Sequence, residues 1–152
     1  MTQLQSDVAP FSLMERYQQP EAWVLVQKEN RYKIAFVPDD NFCIIVYEID
    51  EDGKEGADVC IFDLAHSECA VLAQFLKKRT EAGGGGGYLL FSMVGFEIVF
   101  WNSGKGWVRV SVKEWEIGEH FSDGSINFMF EEYKLDSLTG FLQNYLQYKN
   151  HE

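Results

Sequence analysis

Eight short segments are rich in apolar residues, and several of them alternate apolar with polar residues, a pattern typical of β-strands with one buried and one exposed face. In the first half of the chain these segments are Trp23–Gln27, Tyr32–Val37, Phe42–Ile49 and Ala57–Leu64. In the second half they are Tyr88–Val94, Glu97–Trp101, Trp107–Ile117 and Ser125–Leu135. Short polar or glycine-containing turns separate neighbouring segments. The pattern therefore predicts about eight strands in a largely antiparallel β-sheet.

Two further segments have the period of an α-helix instead of that of a strand. One helix is predicted over residues 66–82, where apolar residues recur at helical spacing from Cys69 onward. A second is predicted over residues 136–149, with Asp136 as its N-cap. A capping-box pattern, Ser-Leu-Met-Glu, predicts a short N-terminal helix. Strands with helices kept apart from them are typical of the α+β class.

The chain of 152 residues is expected to form a single domain, residues 1–152. Both halves have the same order, four strands and then one helix, which predicts a pseudo-repeat of residues 23–82 and 88–149. Five glycines, Gly83–Gly87, join the halves. In a phosphate-binding loop the glycines follow a strand and precede a helix, whereas these follow a helix and precede a strand. We therefore expect a connector without a bound anion.

Acidic side chains outnumber basic ones by 24 to 13, which gives a formal net charge of −11. Such a field repels phosphate backbones, so the sequence predicts that nucleic acid is not a partner. It attracts basic proteins and speeds their association. The densest acidic segment is a predicted hairpin turn that contains Asp50, Glu51, Asp52, Glu55 and Asp58. The alternative interpretation is that the charge only keeps the protein soluble.

The sequence contains no recognisable motif for a catalytic nucleophile or a bound cofactor, so we expect no cofactor. The best metal candidates are Cys60, His66 and Cys69, but a structural zinc site needs four ligands and no second pair is present. Three irregularly spaced cysteines do not suggest a disulfide framework. Since no secretory signal or membrane-spanning apolar segment is recognisable, we expect a cytoplasmic location away from membranes.

A face that mixes aromatic and charged residues is predicted for the strand that begins at Trp107. Trp107 and Trp115 have the same strand parity as Arg109, Ser111 and Lys113. Aromatic side chains anchor protein interfaces, so this face suits a partner surface, with Glu114 and Glu116 close by. One alternative is a face covered by a helix or loop. The other is a Trp-lined groove that uses nearby carboxylates to bind or hydrolyse a small ligand or carbohydrate.

The predicted helices include the segments FDLAHSECAVLAQFL and YKLDSLTGFLQNYL. In size, charge and the order of strands and helix, the chain resembles the immunity proteins of bacterial toxin–antitoxin and polymorphic-toxin systems. The resemblance implies a non-catalytic protein that masks a basic protein partner, such as a toxin. The predicted contacts are the five acids of the hairpin turn with Glu114, Glu116, Trp107 and Trp115. A homodimeric scaffold without a ligand is a third interpretation.

Overall fold

The computed structural model describes residues 22–79, 87–116 and 118–150, which form two four-stranded antiparallel sheets and two helices. Sheet A consists of β1 (Trp23–Gln27), β2 (Tyr32–Val37), β3 (Phe42–Ile49) and β4 (Glu55–Leu64). Sheet B consists of β5 (Tyr88–Met93), β6 (Phe96–Asn102), β7 (Val108–Glu114) and β8 (Ser125–Phe130). Helix α1 (His66–Lys78) follows sheet A, and helix α2 (Glu132–Asn150) follows sheet B. The predicted α+β fold is confirmed, and the predicted N-terminal helix lies outside the described residues.

Each sheet is a meander, in which strands that follow one another in the chain are also neighbours in the sheet. Strand β7 shows the predicted alternation, because Val108, Val110 and Val112 are fully buried while Arg109 and Lys113 are exposed. Successive side chains of a strand point to opposite sides of the sheet. Each sheet therefore has an inner face, which forms the core, and an outer face, which is turned away from it.

The inner faces of the two sheets share one hydrophobic core with the helices. Trp23 of sheet A stacks on Phe130 of sheet B, with 5.7 Å between the ring centroids. Phe42 of sheet A packs against Tyr145 of α2, with 5.0 Å between the centroids. Burial of one large apolar side chain contributes about 1.5–3 kcal/mol to folding. These contacts fix the two sheets and the helices relative to one another, and with them the shape of the outer faces.

Helix α2 begins at Glu132, earlier in the chain than predicted. Leu135 is fully buried and its N–H donates to the carbonyl of Glu131, so the first helical turn already packs into the core. Asp136 is consequently inside the helix and is not its N-cap. Its carboxylate accepts a hydrogen bond from the guanidinium of Arg79. The prediction continued the last strand to Leu135, but strand β8 ends at Phe130. The chain turns into α2 directly after it.

The segment between the two halves is described only in part. Helix α1 ends at Lys78, and residues 80–82 of the predicted helix lie outside the described residues. Of the five glycines only Gly87 is described, and its carbonyl accepts a hydrogen bond from the N–H of Asn102 at 2.8 Å. The connector and the pseudo-repeat therefore stay predictions. Within the described ranges, neither helix has the length and apolar character needed to cross a bilayer.

Candidate functional site

The outer face of sheet B carries a row of four large side chains, one from each strand. The strand register places Tyr88 beside Trp101, Trp101 beside Arg109, and Arg109 beside Met129. The rings of Tyr88 and Trp101 are 5.2 Å apart, and the guanidinium carbon of Arg109 lies 5.5 Å from the centroid of Trp101. Tyr88 is 62% exposed and Met129 is 48% exposed. We call Tyr88, Trp101, Arg109 and Met129 the aromatic row.

One polar atom in the aromatic row is unsatisfied. The indole nitrogen Nε1 of Trp101 is buried and has no hydrogen-bond partner in the described part of the chain. An unpaired buried donor costs about 1–3 kcal/mol, so such atoms are uncommon in folded proteins.

The two neighbouring rows of the outer face are smaller and more polar. In the first, Val99 and Ser111 are buried among their larger neighbours, and the Ser111 hydroxyl donates to the side chain of Asn127. In the second, Lys113 lies opposite Glu97 in register, but these two described residues form no ion pair. Across the three rows, Arg109 and Lys113 therefore face a single carboxylate. These three rows therefore carry a net charge of +1 in a chain whose total is −11.

A pocket of about 290 Å³ opens beside Met129, at the end of the aromatic row. Its lining consists of Lys105, Gly106, Trp107, Met129, Glu131 and Glu132. Trp107 is 37% exposed and forms an aromatic wall of the pocket. Lys105, Glu131 and Glu132 form no ion pair with any residue that the structure describes. The pocket thus combines two apolar side chains with unpaired charges of both signs.

Arg79 fixes the backbone around this pocket. Its side chain is buried and donates to the carbonyl oxygens of Leu76, Gly106 and Glu132 at 2.6, 3.2 and 3.3 Å. It also donates to a carboxylate oxygen of Asp136 at 2.6 Å. One guanidinium therefore joins the end of α1 to the turn before β7 and to the first turns of α2. These are the segments that carry Lys105, Trp107 and both glutamates of the pocket.

Glu114 was predicted as a surface contact, but the structure buries it on the inner side of sheet B, where it is 5% exposed. Its carboxylate accepts hydrogen bonds from the backbone N–H groups of His120 and Phe121 and lies 3.0 Å from Nδ1 of His120. Burial by itself raises the pKa of this carboxyl, but these hydrogen bonds outweigh it and hold the pKa below the usual value. The carboxylate therefore organises the loop between β7 and β8. Glu116 and Trp115 are exposed at the start of that loop.

Asp50, Glu51 and Asp52 lie in the turn between β3 and β4 of sheet A, and Glu55 and Asp58 lie in β4. Trp107 and Trp115 instead flank β7 of sheet B. All five acids are exposed, namely Asp50, Glu51, Asp52, Glu55 and Asp58. Glu51 pairs with Arg31 at 3.5 Å, and Glu55 pairs with Lys33. The structure therefore divides the predicted contact residues between two sheets. Part of the negative charge of the turn is also neutralised by neighbouring cations.

The candidate metal ligands lie in different environments. Cys60 and Cys69 are buried in the core, and burial raises the pKa of each thiol to about 12. His66 is exposed at the start of α1. The three cysteines are free thiols, and Cys69 lies on the buried face of α1 as its spacing predicts. The two buried thiols act as small apolar side chains of the core.

Comparison with protein-family models and with curated proteins gives no match. Solved structures share the fold. A chain of a guide RNA-binding protein complex bound to a guide RNA has a TM-score of 0.66 and 15% identity, over 89% of this chain and 95% of that chain. MRP1/MRP2 of Trypanosoma brucei has a TM-score of 0.66 and 17% identity, over 90% of each chain. WHY1 of Arabidopsis thaliana has a TM-score of 0.54 and 11% identity, over 93% of this chain and 86% of that chain.

These comparisons correct the predictions that were made from net charge. The hypothesis of an immunity-type protein that masks a basic toxin is wrong, since the fold is shared with a complex that is bound to guide RNA. The exclusion of nucleic acid in favour of a basic protein partner is wrong for the same reason. The error was to treat the total of −11 as a property of every surface, although binding depends on the local charge of one face.

Sequence reasoning placed Trp107, Arg109 and Lys113 on one mixed face but did not put Tyr88, Trp101 or Met129 beside them. Parity within each strand was the available signal, because Tyr88 and Met129 alternate with the inward-facing residues of β5 and β8. Parity does not say which residues of different strands are neighbours. The aromatic row therefore became visible only with the register of sheet B.

Proposed function

We propose that the chain binds single-stranded nucleic acid, with RNA as the first candidate, on the outer face of sheet B. The observation that carries this proposal is the aromatic row, in which Tyr88, Trp101 and Arg109 lie side by side. Proteins that bind single strands combine aromatic side chains, on which bases stack, with cations that contact the phosphates. Tyr88 supplies exposed aromatic surface for stacking, and Arg109 and Lys113 supply the cations.

The geometry favours a single strand over a duplex. Bases of a duplex are stacked on each other, so an aromatic side chain on a flat sheet cannot reach their faces. Bases of a single strand are free to lie on Tyr88 and along the rest of the row. RNA is the first candidate because one of the structures with this fold is a complex bound to guide RNA.

The acidic composition limits the proposed affinity without abolishing it. Each phosphate contact with a single strand contributes about −0.7 to the slope of log K against log salt. Two phosphate contacts, from Arg109 and Lys113, therefore predict a slope of about −1.4. A third contact, from Lys105 at the rim of the pocket, would make the slope steeper, at about −2. Stacking of each base contributes about 1–3 kcal/mol and depends little on salt. Binding is thus expected to depend more on stacking than on charge.

The test is fluorescence anisotropy with a labelled ten-nucleotide oligouridine RNA, with the same sequence in DNA and with an RNA duplex. We expect saturable binding of both single strands and at least tenfold weaker binding of the duplex. Lys113→Gln should weaken binding and reduce the salt slope by about 0.7. Lys54→Gln, at an exposed position in the turn between β3 and β4, is the matched control and should leave the affinity unchanged.

Two results would contradict the proposal. One is the absence of saturable binding of any single strand at low salt. The other is an equal loss of affinity in Lys54→Gln and Lys113→Gln, which would show that binding follows total charge rather than the outer face of sheet B.

A further inference from the structure

We infer that the pocket beside Trp107 is a guanine subsite, which takes one guanine base from the strand that lies on the aromatic row. This inference rests on the proposed function and extends it to base preference. The pocket adjoins Met129, the last member of the row, and its Trp107 and Glu131 lie two residues along the chain from Arg109 and Met129, so a strand on the row lies next to it. Its volume of about 290 Å³ leaves room for one base.

The two apolar side chains give the pocket its preference for a flat ring. Trp107 offers an indole surface, and Met129 offers a thioether, which makes favourable contacts with aromatic rings. Both side chains are partly exposed toward the pocket, so each has surface that is not covered by the core. A base placed here is in reach of stacking on Trp107 and of the flexible side chain of Met129.

The carboxylates decide which base fits. An ionised carboxylate only accepts hydrogen bonds, so it pairs with an edge that presents two adjacent donors. The Watson–Crick edge of guanine presents N1–H and N2–H₂ side by side. The corresponding edges of adenine, cytosine and uracil combine donors with acceptors, so an acceptor there would face the carboxylate. Glu131 and Glu132 have no ion-pair partner among the described residues and are available for this pairing.

Gly106 leaves the space that one of these carboxylates occupies. Its φ is +94°, which disfavours any other residue, and a Cβ at this position would lie 3.1 Å from Oε2 of Glu132. The carbonyl of Gly106 itself accepts a hydrogen bond from Arg79, so the turn cannot easily shift to make room. Lys105, next to Gly106, lies at the rim of the pocket, where a cation suits the phosphate of the captured nucleotide.

The experiment uses the labelled oligouridine with its central uridine replaced in turn by guanosine, inosine, adenosine and cytidine. Guanosine should tighten binding by about tenfold, the size expected for a bidentate pair. Inosine lacks the N2 amino group and should give a smaller gain, while adenosine and cytidine should give none. Glu131→Gln and Glu132→Gln should remove the guanosine gain, in one variant or both, so that guanosine binds no more tightly than uridine in the same variant. The control is Glu116, which is exposed in the loop between β7 and β8. Glu116→Gln should retain the guanosine gain.

The outcomes separate this inference from the proposed function. If oligouridine binds but guanosine gives no gain, or if the gain survives both glutamate substitutions, the guanine subsite is overturned and the binding proposal stands. A titration with guanosine monophosphate tests whether the pocket also binds the base of a free nucleotide. If it quenches tryptophan fluorescence in a glutamate-dependent way while no oligonucleotide binds, the subsite is supported and the proposed function is overturned.

Discussion

Arg79 of α1 and Asp136 of α2 form an ion pair with 2.6 Å between the nitrogen and the oxygen, although the two side chains differ greatly in exposure. The side chain of Arg79 is 2% exposed, whereas that of Asp136 is 71% exposed. A buried charge needs hydrogen-bond partners, and Arg79 finds most of them in backbone carbonyls. Asp136 supplies the only carboxylate among its described partners. The pair therefore couples the helices to the turn that carries Trp107.

The unequal burial predicts unequal effects of substitution. Arg79→Ala should destabilise the protein by about 3 kcal/mol, because it leaves a buried space and three carbonyls without their donor. Asp136→Ala should cost about 1 kcal/mol, since Arg79 keeps its carbonyl partners. Urea unfolding followed by tryptophan fluorescence measures both. Equal losses would mean that the ion pair, rather than the carbonyl contacts, provides the stability.

Trp101→Phe removes the unpaired indole N–H and keeps an aromatic ring. No hydrogen bond is lost, and removal of the unpaired donor offsets the loss of buried ring surface, so the free energy of unfolding should change by no more than about 0.5 kcal/mol. The matched control is Trp23→Phe, because Nε1 of Trp23 donates to the hydroxyl of Ser137 at 3.0 Å. That change should cost about 1 kcal/mol. If Trp101→Phe is as destabilising as the control, the N–H of Trp101 is not an unpaired donor.

Stability should fall in acid through Glu114. Since hydrogen bonds hold its pKa below the usual 4.5, its stabilising effect is complete above that pH and is lost as the pH falls through the lower folded value. Glu114→Gln should be about 2 kcal/mol less stable at pH 7, because bonds to a charged acceptor are stronger than neutral ones. The difference from the native protein should shrink below about pH 4.5. Unfolding curves between pH 3 and pH 7 check this, and a constant difference would contradict it.

Asp50 should matter more for stability than the other acids of its turn. Its Oδ1 accepts hydrogen bonds from the backbone N–H groups of Asp52 and Lys54 at 2.9 and 2.8 Å. Asp50→Ala should therefore cost about 1 kcal/mol, and Asp52→Ala should change stability by less than about 0.5 kcal/mol. Thermal unfolding of the two variants compares them directly. A larger loss in Asp52→Ala would show that these hydrogen bonds do not hold the turn.

The sequence predicted the strands and the two main helices because their periods are local properties. The alternation of Val108, Arg109 and Val110 requires only that neighbouring side chains point to opposite faces. The sequence interpretation placed the start of α2 too late in the chain. The reason is that apolar and polar residues alternate over residues 126–130, up to the point where the chain turns into the helix. Burial of Leu135 then extends the helix backward to Glu132.

The charged residues were harder to place, because a local pattern does not record how a charge is satisfied. Glu114 has the parity of the buried valines of β7, but its charge favoured the surface in the sequence interpretation. The loop folds back and offers it the N–H groups of His120 and Phe121, which stabilise the buried carboxylate. That compensation comes from residues beyond the strand, so the strand pattern alone could not predict it.

By itself the sequence determined the α+β class, the inward faces of β7 and β8 and the buried face of α1, because each follows from periodicity within one element. Only the tertiary structure decided that Tyr88, Trp101 and Arg109 lie side by side, and that Trp107 meets Glu131 and Glu132 around one pocket. Those relationships depend on strand register and on the packing of α2. They join residues that lie far apart in the chain, so no local pattern of the sequence records them.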